Sequence, residues 1–173
     1  MQHTNPQNIP AALLLFAVFA IVAASLLYLA LPQACMDLLG FQNPKTIDAL
    51  CGAVCSVLWG LGIALWMALC NAGVFAFCIL CFFRVCRLCL DTYLCYQAAS
   101  TGQFLLQILF FGVQALLFLS FCHLGCRFSI ESKHKKQGKG DRARLLLDFL
   151  FFSGICTILT LLRHAALVIR LLA

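Results

Sequence analysis

From Ala49 to Phe83 the chain runs 35 residues without a formally charged side chain. As one helix this stretch would measure about 52 Å at about 1.5 Å per residue, against a membrane hydrocarbon core of about 30 Å. It is too long for one straight span and too apolar for a water-facing loop. Two parses follow. In the first, Gly60 to Phe83 crosses alone, Trp59 sits at one interface and Arg84 emerges at the other. In the second, Asn71-Ala72-Gly73 turns the chain, which makes two helices and leaves Arg84 near mid-membrane. A central arginine costs about 2.5–3.5 kcal/mol on insertion scales, so the first parse is preferred.

The rest of the chain agrees with a membrane setting. Hydrophobic residues make up 64% and charged residues 10%, against about 45–50% and about 25% in soluble domains. No soluble core of this length could bury so much apolar surface, and no disordered chain is so poor in charge. The expected fold is all-α: an integral membrane helical bundle in which 1–173 is a single domain. Four transmembrane helices are predicted at 10–31, 60–83, 103–126 and 145–162, with five spans as the alternative. Arg84, Arg87 and Asp91 fall on one helical face, so 84–96 is expected to form a short interfacial helix. Gln107 and Gln114 lie seven apart on one face of the third span, where glutamine bonds across helices. Arg163 is expected to emerge beyond the last span, with the tail lying on the surface.

Seven Lys/Arg lie between Arg127 and Arg144. Residues 127–144 therefore read as a cytoplasmic basic loop. Lys133, Lys135, Lys136, Lys139, Arg142 and Arg144 are its candidates for docking on lipid headgroups or a partner. Apart from Phe128 the loop has no interleaved aromatics, so nucleic acid is not the expected partner. Counting back from it puts the N-terminus outside.

Twelve cysteines are spread mostly through apolar runs, where a thiol packs as a small hydrophobe. Cys78/Cys81 and Cys86/Cys89 form two close pairs, but sulfurs fanned along one helix cannot gather around one ion, so no metal is expected. Cys122 and Cys126 adjoin basic Arg127 and are candidate lipidation sites. No nucleophile motif, phosphate loop or paired carboxylates occur, and there are only six acidic residues for acid–base work.

One local pattern carries a resemblance. Cys86-Arg-Leu-Cys89-Leu-Asp-Thr-Tyr93 resembles the CxxC signature of vitamin K epoxide reductases, which, like the DsbB-type oxidases, are small four-helix membrane proteins passing electrons from thiols to quinone. The resemblance implies Cys86 and Cys89 as a quinone-facing redox pair, with Cys51 and Cys55 as the shuttle pair. In hydropathy alone, the paired spans with short loops are also similar to inclusion-membrane proteins with hydrophobic hairpins. The residues taken by themselves give a non-enzymatic, multi-pass membrane protein without cofactor. Its expected work is packing against the lipid bilayer, against partner membrane proteins or against further copies of itself, with the basic loop docking.

Overall fold

The computed structural model describes residues 9–31, 47–97, 101–134 and 139–172. Five helices account for nearly all of them: α1 (Ile9–Ala30), α2 (Ile47–Leu69), α3 (Val74–Gln97), α4 (Thr101–His134) and α5 (Lys139–Leu172). Four of these, α1, α2, α4 and α5, are long and apolar enough to cross a membrane. The all-α bundle is as expected, and no strand occurs among the described residues.

The second predicted span is corrected. The helix does not run from 60 to 83, and 84–96 is not a separate interfacial helix. The chain leaves helix at Cys70–Gly73 and re-enters as the 24-residue α3. Local chemistry explains the break. Asn71 takes a left-handed backbone, with φ of 55°, which asparagine tolerates better than other non-glycine residues. The Asn71 N–H donates to the Ala68 carbonyl at 3.1 Å and the Ala72 N–H to the Met67 carbonyl at 2.9 Å. These are the paired bonds of a Schellman helix stop. Asn71→Val should cost about 1–2 kcal/mol, because a β-branched residue resists this backbone. Asn71→Gly should be close to neutral, and thermal unfolding of both variants in one detergent would show it.

The break sends α3 back along α2. Arg84 packs against Gly60, and the two lie equally far from Ala72. Ser129 on α4 donates to the Ala72 carbonyl at 2.7 Å, and the Ser132 hydroxyl bonds the Asn71 side chain. The end of α4 therefore meets the α2–α3 turn. At this same end α1 begins: the Cys81 thiol faces the Leu13 carbonyl, and Phe16 meets Phe75 edge-on. At the opposite end Ser25 bonds Tyr93 at 2.8 Å and Tyr28 stacks on Tyr93. The five helices thus alternate in direction. The start of α1, the α2–α3 turn, the end of α4 and the start of α5 lie together at what we term the basic end. The N-terminal helix start therefore shares an end with the basic segment, not the opposite end as the four-span count required.

The packing is inverted relative to a water-soluble bundle. The outer faces carry Leu14, Phe19, Leu29, Trp59, Trp66, Phe83, Leu105 and Phe151, all exposed. Inward, α1 presents Leu13, Ala17, Ala20 and Ala24, a mostly small-residue stripe that lets α3 approach closely. Trp59, expected at an interface, instead lies mid-helix on the outer face of α2. α4 touches all four other helices.

Candidate functional site: a buried arginine seam and a basic end

Polar side chains inside a bundle of this composition are costly unless paired, so their positions are the most informative feature of the interior. Arg84 on α3 is only 7% exposed. Its Nη1 donates to Ser56 Oγ on α2 at 2.6 Å. Gly60, one turn along α2, makes room for it. A Cβ there would stand 3.0 Å from Arg84 Cδ. The electrostatic neighbours of Arg84 are Asp91, Arg87 and Cys156.

Toward the end of the bundle away from the basic segment, α5 contributes a second interior cation. Arg163 is 4% exposed. Its Nε donates to Gln107 Oε1 on α4 at 2.6 Å, and Nη2 donates to the Asp91 carbonyl on α3 at 3.0 Å. Gln114 Nε2 donates to Thr160 Oγ1 at 3.0 Å, and Thr160 donates on to the Cys156 carbonyl at 2.8 Å. Both glutamines therefore bond across helices, as their shared face implied. Arg87 and Asp91 lie between the two buried arginines along α3 and are half-buried. The result is a polar seam through the interior from Ser56 and Arg84 to Gln107 and Arg163.

Two expectations fail here. Arg84 does not emerge at an interface, and Arg163 does not leave the bundle, because each finds oxygen acceptors on neighbouring helices. The sequence held signals for both. Ser56 and Gly60 sit opposite Arg84 across the Asn71 turn. Ser153, Cys156, Thr160 and Arg163 are spaced three, four and three residues apart, one polar stripe down α5. Neither pattern shows itself until the turn is placed.

At the basic end the predicted loop 127–144 is mostly helical. α4 continues to His134 and α5 starts at Lys139. No proline or glycine interrupts 127–134, Arg127 pairs with Glu131 one turn on at 3.5 Å, and Asp141 suits the first turn of α5. Arg142 and Arg144 are exposed. Lys133 and Lys139 lie on the two helices, and Lys135 and Lys136 lie outside the described residues.

The cysteines divide by face. Cys122 and Cys126 are fully buried against Cys78 and Cys81 in the core between α3 and α4. They point away from the lipid, which removes the accessible thiol that lipidation needs. Among the described residues no group of three or more ligand side chains is placed to hold a metal. Cys51 and Cys55 are exposed on α2, Cys86 is half-buried and Cys89 is buried on α3. The hairpin brings these two pairs to one half of the bundle, with the first pair facing outward and Cys89 facing in. Cys51, Cys55, Cys70, Cys78, Cys81, Cys89, Cys122, Cys126 and Cys156 are free thiols.

No protein-family model, no curated protein and no solved structure matches the chain. The fold and the polar residues therefore define the class by themselves: a multi-pass helical membrane protein.

Proposed function

We propose that this is a non-enzymatic membrane protein that works by association. Its apolar outer faces lie in lipid or against partner membrane proteins, and its basic end docks on anionic headgroups of the cytoplasmic leaflet. In this reading α3 crosses with the other four helices, because it runs the full depth of the bundle beside α1.

The supporting observation is how the arginines are sorted. Those at the basic end, Arg127, Arg142 and Arg144, face solvent. Those deeper, Arg84 and Arg163, face inward. Among the arginines whose side chains are described, the exposed ones, Arg127, Arg142 and Arg144, all lie at the basic end, which favours placing that end in the cytoplasm.

The test is lipid preference. The protein would be reconstituted in discs of phosphatidylcholine with phosphatidylglycerol, and co-purifying lipid would be measured by native mass spectrometry. Phosphatidylglycerol should be enriched, and added salt should reduce the enrichment. Each basic residue near the surface contributes about 1 kcal/mol, so Arg142→Gln with Arg144→Gln should weaken the preference by about tenfold or more. Equal retention of both lipids by the wild-type protein would refute basic-end docking.

A further inference from the structure

The seam holds more positive charge than its own residues offset. Among the described side chains, Arg84, Arg87 and Arg163 contribute three cations and Asp91 one carboxylate. In water this imbalance is screened. Inside a bundle set in lipid it is not, and intramembrane ionisable groups mark functional sites by default.

The donors are also underused. A guanidinium carries five N–H groups, and Arg84 spends one on Ser56. The Arg87 Nε is buried with no hydrogen-bond partner among the described residues. A buried donor left in that state costs free energy that a ligand oxygen would recover. Arg87 and Asp91, half-buried, form the accessible part of the seam. Arg87 is ten residues before the end of α3 at Gln97, about 15 Å along a helix at about 1.5 Å per residue.

We infer that the seam between Arg84, Arg87 and Arg163 is a binding site for a phosphate group. Guanidinium forks match phosphate oxygens in geometry as well as charge. Two net positive charges suit a group carrying one or two negative ones. Gly60 lets the Arg84 side chain lie directly against α2, which fixes one guanidinium of the seam in place. The phosphate comes either from a lipid headgroup drawn between the helices or from a free anion, and the two sources are separable. This site is independent of the basic end, and either can fail without the other.

The experiment uses the full chain in phosphatidylcholine discs and follows thermal unfolding. In one arm inorganic phosphate replaces chloride at constant ionic strength. In the other, phosphatidic acid is added to the discs. The expected result is a saturable rise in Tm in at least one arm. A response to inorganic phosphate identifies a free anion, and a response to phosphatidic acid alone identifies a headgroup. Arg87→Gln should shift half-saturation by about tenfold or more, the loss of one charge-assisted bond. Arg84→Gln should do the same where it folds. If it does not fold, Arg87→Gln decides, since its Nε has no hydrogen-bond partner among the described residues to lose. Because the basic end itself is read as binding anionic headgroups, both arms are run on the Arg142→Gln, Arg144→Gln background, where the rise that depends on Arg87 should persist. No rise in either arm overturns the site. So does a rise that survives Arg87→Gln, or one that the basic-end variants abolish.

Discussion

Replacing Asp91 with asparagine is expected to destabilise the protein by about 2–3 kcal/mol, at or just under the about 3–5 kcal/mol for breaking a fully buried pair, because Asp91 is half-buried. Asp91 is half-buried with a buried Oδ1. Its carboxylate offsets Arg84, one α-helical heptad away, and its carbonyl accepts from Arg163. Asparagine keeps the shape and the carbonyl and removes only the charge. The loss should therefore be electrostatic, and Arg84→Gln added to Asp91→Asn should recover part of it. A double-mutant cycle on Tm or denaturant midpoint would show coupling of about 1 kcal/mol or more between the two positions. Additive losses would mean that Asp91 does not serve as the counter-charge of the seam.

The second large effect is expected at Gly125. A Cβ on this residue would stand 2.9 Å from Phe77 Cε1 and 3.2 Å from Cζ, and Phe77 is fully buried. Gly125 is thus where α4 packs closely against Phe77 of α3 and Ala68 of α2. Gly125→Leu should cost about 3 kcal/mol through overpacking. Gly125→Ala should cost less, because alanine regains about 1 kcal/mol of helix propensity. Phe77→Leu should partly rescue Gly125→Leu, since it withdraws the ring that the new side chain strikes. Gly112 on the same helix has open space around its Cβ position, and Gly112→Leu should be tolerated. Equal destabilisation at both glycines would point to backbone effects instead of the Phe77 contact.

Much of this architecture is legible in the sequence. Helix α1 is bounded almost as expected, because an apolar run with Pro10 at its start and Pro32 past its end leaves little choice. The cross-helix roles of Gln107 and Gln114 follow from their spacing. The basic segment could be placed, though not its helicity, because lysine and arginine mark both loops and exposed helices.

The error at 60–83 has a specific source. An insertion cost per arginine describes a helix facing lipid. In this bundle α3 is flanked by α1, α2 and α4, and Ser56 supplies an acceptor for Arg84. A penalty assigned one helix at a time cannot include acceptors that only tertiary packing provides. The same reasoning misplaced Arg163, whose acceptors, Gln107 and the Asp91 carbonyl, are 56 and 72 residues away in sequence.

Cys70 provides the most direct test of the five-helix arrangement. It is exposed at the α2–α3 turn, whereas in one continuous helix from Gly60 to Phe83 it would lie near the bilayer centre. With the other cysteines replaced by serine or alanine, sealed vesicles of known orientation would be treated with a membrane-impermeant thiol reagent from each side. A protease cutting at the basic segment would report the same side independently. The hairpin predicts that Cys70 is labelled from the side on which the basic segment is cut, and not from the other. Protection of Cys70 from both sides, or labelling only from the side opposite the basic segment, would contradict it.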